Sequence, residues 1–258
     1  MNPQSRLHRR QLVGRGLALS ATLSFAPTFI RHVSAQEDDM NQPDGTYLFG
    51  SGEDLMPTVP VRWRIIEQTA KPESEAPELA RTLNFLTPIS DVPITVDNLT
   101  TGESTYVPAH VAASAFGAEG EVQKRFVEQN EPAPYVAFEL IVADQDNPDT
   151  IGSGTWLGST GPFEAPEGTQ EMEMTALVVS AVKDQQSKPL PDFGDNYPLI
   201  GYVHHQAINV VHADDTVDHV SDGETIVLQN GDVIEYAGET VMDNSSLYFA
   251  RFVIQRSY

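Results

Sequence analysis

The chain contains no cysteine. That absence excludes disulfide scaffolds, thiolate zinc sites, iron–sulfur clusters and cysteine nucleophiles. Basic residues are also scarce, 15 Lys plus Arg against 37 Asp plus Glu, giving a formal charge of −22 over 258 residues. That sign opposes nucleic acid and anionic membrane surfaces, because both need a basic footprint. What is present fits a folded chain: 40% hydrophobic residues argue against disorder, and 18 Gly and 18 Pro scattered along the chain argue against long helices or fibres. The length allows one large or two modest domains, each able to bury a core without a disulfide or structural metal.

Residues 1–35 differ in kind from the rest. They hold five of the 15 basic residues (Arg6, Arg9, Arg10, Arg15, Arg31) and no Asp or Glu. Arg9-Arg10-Gln11-Leu12-Val13 opens a moderately apolar run over residues 17–30, broken by Pro27 and followed by Val33-Ser34-Ala35, a small-residue cleavage pattern. The run is too short to span a bilayer comfortably. The arginine pair resembles a bacterial twin-arginine signal, with His8 ahead of it and Val13 in place of the usual lysine. A Sec signal is the runner-up and an uncleaved amino-terminal anchor the third reading. Cleavage after Ala35 would leave 223 residues with 10 basic and 37 acidic side chains, a charge of −27, destined for the periplasm or the exterior and carrying no membrane span. Residues 36–45 (QEDDMNQPDG) then read as a flexible acidic lead-in.

Three landmarks recur in the same order along the remainder, which points to two similar halves. Glu67-Gln68-Thr69-Ala70-Lys71-Pro72 matches Asp184-Gln185-Gln186-Ser187-Lys188-Pro189, an offset of 117. Thr101-Gly102-Glu103-Ser104 matches Asp222-Gly223-Glu224-Thr225, offset 121, and the run opening at Tyr135 matches that opening at Tyr248, offset 113. The expected domains are 46–160 and 161–258, with 161–168 as connector. Both halves are rich in short β-branched and aromatic runs separated by turn signals such as Asp222-Gly223 and Asn230-Gly231. Only residues 77–83 and 122–128 tolerate a helical reading.

Gly223-Glu224-Thr225-Ile226-Val227-Leu228-Gln229-Asn230-Gly231-Asp232, then Gly238, Asn244 and the run from Tyr248, resembles the carboxy-terminal part of a cupin barrel. The first half resembles it through Gly102 to His110 and Gly117 to Gly120. The resemblance implies an all-β fold, two cupin-like double-stranded β-helix (jelly-roll) barrels in tandem. It also places the usual metal-ligating histidine at Val241 or Met242 in the second half and near Val122 or Gln123 in the first, so that neither half keeps that ligand. The family's His-any-His pair is missing from both halves.

The histidines of the second half, His204, His205, His212 and His219, with Asp218 and Glu224 as carboxylates, are the one cluster that suggests metal chemistry. On an extended strand His204 and His212 share a face, but eight residues at about 3.3 Å each separate them by roughly 26 Å unless a turn intervenes. The preferred reading makes them surface or barrel-mouth residues. Trp63, Phe85 and Phe116 are expected in the core, while Trp156 and Tyr197 are candidates for a sugar-binding exterior. Residues 152–161 read as a Gly-rich flexible loop.

The reading that results is an exported, metal-free binding or interaction protein with no catalytic residue and no cofactor assigned, taking a small apolar or sugar ligand. A second copy of the chain is an admissible partner where edge strands need covering. The alternative is a divergent metal-dependent oxygenase or isomerase holding one divalent transition metal at His204, His205, His212, His219 and Glu224.

Overall fold

Alternation of apolar and polar residues sets the architecture, because it fits strands buried on one face or both. The computed structural model describes residues 46–109, 112–145, 154–182, 184–193, 197–238 and 244–253. Arg9, Arg10, Ala35 and the acidic lead-in lie outside them. Among the described residues there are eighteen strands, one 3₁₀ turn (Ala143–Gln145) and no α-helix. The protein is all-β.

The chain enters as β1 (Thr46–Leu55) and then builds eight strands: β2 (Val61–Pro72), β3 (Glu78–Ala80), β4 (Leu83–Pro88), β5 (Ile94–Asn98), β6 (Glu103–Val107), β7 (Ala115–Gly117), β8 (Val122–Val127) and β9 (Ala133–Val142). After β10 (Thr155–Ser159) come eight more: β11 (Thr169–Ser180), β12 (Ser187–Pro189), β13 (Leu199–His205), β14 (Ile208–Val211), β15 (Val217–Val220), β16 (Thr225–Leu228), β17 (Val233–Tyr236) and β18 (Asn244–Phe252). The first set pairs as β2-β9-β4-β7 and β3-β8-β5-β6, the second as β11-β18-β13-β16 and β12-β17-β14-β15. Counted within its own set, each places its strands first-eighth-third-sixth and second-seventh-fourth-fifth. That order is a jelly roll, and the fold is two cupin-like barrels in tandem.

Two further strands tie the barrels together. β1 pairs with β11 of the second barrel, although its sequence position puts it with the first half, and β10 pairs with β2. Both pairings are favourable because each strand covers an otherwise open sheet edge. Ser114 N–H donates to the Phe49 carbonyl, and the Thr225 hydroxyl donates to the Leu157 carbonyl, so each strap also reaches the opposite sheet. Residues 161–168 are likewise anchored: Val61 and Phe163 exchange backbone hydrogen bonds, and Phe163 is buried between the sheets.

Burial separates three cores. Outward side chains of β2, β4 and β9 (Val61, Trp63, Ile65, Phe85, Phe138) meet outward side chains of β11, β13 and β18 (Met172, Met174, Tyr202, Tyr248, Phe252). Trp63 packs at a ring distance of 5.9 Å from Phe252, and Phe85 at 5.2 Å from Phe116, so the aromatic residues expected in the core are there. Inside the second barrel lie Leu177, Val179, Leu199, Val203, Ile208, Val210, Leu228, Ile234, Leu247 and Phe249. That interior is mainly hydrocarbon, with Lys188 and Ser245 among its few buried polar side chains. The first barrel's interior is apolar toward Ile94, Val96 and Val107, and polar at its other end.

The sequence landmarks find the right strands less well than they find the repeat. Lys71-Pro72 ends the first strand of its barrel, whereas Ser187–Pro189 is the second strand of the other. Gly102 turns the chain between β5 and β6, whereas Gly223 lies between β15 and β16. Tyr135 and Tyr248 do share the eighth strand, but the odd offset reverses the faces: Tyr135 points into its barrel and Tyr248 into the core between the sheets. A one-residue slip in a strand has that consequence for every side chain. Residues 77–83 and 122–128 are strand rather than helix, since Gln123, Arg125 and Val127 alternate inward with Lys124 and Phe126. Residues 155–159 of the expected Gly-rich loop form β10.

Candidate ligand-binding site

The inward faces of β2, β8 and β9 converge on one polar cavity of about 390 Å³ at the mouth of the first barrel. Strand parity dictates the lining: Arg64, Ile66 and Gln68 alternate on β2, opposite Glu139, Ala137 and Tyr135 on β9. Pro77, Leu79 and Arg81 close the mouth, and Arg125 enters from β8. Four cations, Arg64, Lys71, Arg81 and Arg125, face this cavity together with one carboxylate, Glu139.

Glu139 is committed to Arg64, whose Nε and Nη2 donate to the same carboxylate oxygen at 2.8 and 2.7 Å. Both residues are buried. Arg125, 3% exposed, makes no carboxylate contact among the described residues. Its Nη2 donates to Asn84 Oδ1 at 2.7 Å and to Gln123 Oε1 at 2.9 Å, while Nη1 lies 3.4 Å from the Tyr135 hydroxyl. The Tyr135 hydroxyl in turn donates to Gln68 Oε1 at 2.7 Å. Arg81 approaches the same Gln68 oxygen from the rim at 3.5 Å, and its Nε is buried without a hydrogen-bond partner. Burial, reinforced by the neighbouring Arg125 charge, lowers the Arg81 guanidinium to a pKa of about 10, against partial compensation from Tyr135 and Glu139. The cavity is electropositive in an otherwise acidic protein.

The candidate histidines are dispersed. His204 ends β13 on the outward face, its ring 5.4 Å from Tyr248 and 3.9 Å from His205. Burial and the neighbouring His205 push its pKa down to about 4, opposed by Asp222. His205 has a positive φ of 82° and donates its backbone N–H to Asp222 at 2.8 Å. His212 lies between two carboxylates, Nδ1 3.0 Å from buried Asp232 and Nε2 3.2 Å from exposed Asp218. Burial opposes protonation there, but the two carboxylates outweigh it and raise the pKa. His219 is exposed, bonded to Asn209 Oδ1 at 3.0 Å, and Glu224 accepts from the Ser221 N–H. Among the described residues no three His, Asp or Glu side chains gather in a way that could hold a metal ion.

Among the described residues, the first interior presents guanidinium groups, which repel a metal, and the second is mainly aliphatic and aromatic carbon. Of the positions where the resemblance puts a ligating histidine, Gln123 points inward and bonds to Arg125, and Val241 and Met242 lie outside the described residues. The positive-φ glycines Gly120 and Gly231 occupy the same sixth-to-seventh turn, which makes Gly120 the counterpart of Gly231 and puts Gln123 within the seventh strand. Gly231-Asp232 shapes that turn in the second barrel, where Asp232 accepts from the Gln229 N–H at 2.8 Å and holds His212. Trp156 is exposed on β10, and Tyr197 packs edge-on against Phe252 and Phe163.

The polar cavity escaped sequence reasoning. Two signals could have found it: the inward spacing Gln123-any-Arg125 on a strand, and the concentration of scarce basic residues at so few positions.

No family model and no curated protein matches the chain. Among solved structures, it is similar to the protein YhaK from Escherichia coli (TM-score 0.46, 10% identity, covering 81% of this chain and 93% of that one). It is also similar to procruciferin, an 11S globulin from Brassica napus (TM-score 0.45, 10% identity, 83% and 86%). A third is HEPD from Streptomyces albus, with 2-hydroxyethylphosphonate and Fe(II) bound (TM-score 0.45, 11% identity, 82% and 76%). No described helix is long and apolar enough to cross a membrane.

Proposed function

We propose that this chain is an exported binding protein whose ligand is a small molecule seated at the mouth of the first barrel, and that it works without a metal. The observation that carries this reading is the contrast between the barrels. One interior is packed mainly with aliphatic and aromatic side chains, while the other leaves a cavity of about 390 Å³ bordered by convergent polar groups. A pocket of that size with a few fixed polar side chains is the usual form of a small-molecule site. The Arg9-Arg10 leader and the run ending at Ala35 support export.

Native mass spectrometry of the gently purified protein, combined with elemental analysis, tests the binding reading. A retained small molecule that is lost on Gln68→Leu, with less than about a tenth of an equivalent of transition metal, is the expected result. Near one equivalent of metal, lost on His205→Ala or His219→Ala, would replace it with the metal-dependent enzyme. Export is tested separately: Arg9→Lys with Arg10→Lys should retain the full-length precursor in the cytoplasm, and unchanged export would remove the twin-arginine assignment.

A further inference from the structure

We infer that the ligand of the first barrel is a small organic dianion, a dicarboxylate held between Arg81 and Arg125. The inference rests on the small-molecule reading above and adds the charge and chemical class of the ligand.

The distribution of charge is its first support. Beyond residue 35 the chain has 10 basic residues among 37 acidic ones, yet four of the 10 face this single cavity with one lining carboxylate. Any surface arginine in so acidic a protein finds a carboxylate readily. Arg125 instead is buried among Asn84, Gln123 and Tyr135, all neutral acceptors. A buried guanidinium without a counter-charge is costly, and the cost falls when an anion binds beside it.

Arg81 supplies the second support. Its Nε, with the neighbouring Thr82 hydroxyl, is buried and lacks a hydrogen-bond partner among the described residues, although the side chain borders the cavity. Its lowered pKa reflects, after burial itself, repulsion by Arg125. Two guanidinium groups close enough to oppose each other's charge favour a ligand that neutralises both. Arg64 is not available for this, because Glu139 already occupies it.

The remaining lining selects the body of the ligand. Ile66, Pro77 and Leu79 border the same cavity as the arginines, which suits a short carbon chain between two carboxylates. Guanidinium forks match carboxylates in bidentate geometry, and the Nε2 amide of Gln68 offers a further donor.

Titration calorimetry on the whole protein with dicarboxylates from malonate to adipate tests the inference, with succinamide and inorganic phosphate as comparisons. At least one dicarboxylate should bind at least about tenfold more tightly than the neutral diamide or phosphate, since charge-assisted contacts are the strong ones. Arg81→Gln should weaken that binding at least about tenfold, with partial recovery in Arg81→Lys. Arg81 sits at the rim, so its variants test the idea even if Arg125→Gln fails to fold. Equal binding of succinamide would overturn the dianion and leave small-molecule binding standing. Binding of phosphate in preference to every dicarboxylate would overturn the carbon-chain assignment, and no binding of any dicarboxylate would overturn the inference whole. Absence of any retained small molecule in native mass spectrometry would instead remove the broader reading.

Discussion

Glu139 and Arg64 face each other across β9 and β2 deep in the first barrel, both less than a tenth exposed. Removing one member of such a pair leaves the other charge buried in a poor solvent for it. Glu139→Ala should therefore destabilise the fold by about 3–5 kcal/mol in urea denaturation, and Glu139→Gln by less because it keeps an acceptor. The two perturbed histidines should make opposite contributions to pH dependence. His204 is lowered, so its contribution is present above the unfolded value near 6.5 and is lost as pH falls toward about 4. His204→Phe should flatten that acid limb. His212 is raised, so its contribution is complete below about 6.5 and fades as pH climbs through its folded value. The stability gap between wild type and His212→Gln should accordingly be wider at pH 5.5 than at pH 8.5, and a gap that widens with pH would contradict the assignment.

β1 is a strap whose close fit depends on two glycines. A β-carbon at Gly50 would strike the Ser114 side chain, and one at Gly52 would strike the Phe116 ring. Neither neighbour is free to retreat, since Phe116 packs on Phe85 and Ser114 is buried. Gly52→Leu should cost about 1–3 kcal/mol through overpacking, with the loss appearing as faster unfolding if the strap detaches. Deleting residues 46–55 should have a larger effect: it uncovers the β11 edge and the cavity left by Phe49, and sedimentation should show self-association of the shortened chain. β8 shows how much of an element is legible in advance. Its residue types, Val122-Gln123-Lys124-Arg125-Phe126-Val127, tolerate a helix by propensity, and only pairing with β5 and β3 selects the extended form.

The two barrels share more core than either owns. Nineteen buried apolar residues lie between the sheets, against 12 inside the first barrel and 13 inside the second. Calorimetry of the whole chain should consequently show one cooperative transition; two separable peaks would mean the shared core contributes little. Ligand binding to the first barrel should raise that single melting temperature without splitting it. The tandem is asymmetric: one barrel is packed mainly with apolar side chains, and the other leaves the candidate cavity.

The β texture and the two barrels in tandem were legible in the residue order, because strands announce themselves by alternation, turns by glycine and asparagine, and repeats by spacing. Those are local properties. The pairing of β1 with the second barrel, the opposed facing of Tyr135 and Tyr248, the dispersal of His204, His205, His212 and His219, and the gathering of Arg64, Arg81 and Arg125 around one cavity were not. Each depends on which strands pair and in which register, and a shift of one residue would reverse every facing. Long-range pairing joins residues as far apart as Arg64 and Glu139 through packing energies that no short window of sequence contains. Tertiary structure alone gathered a few scattered cations around one cavity.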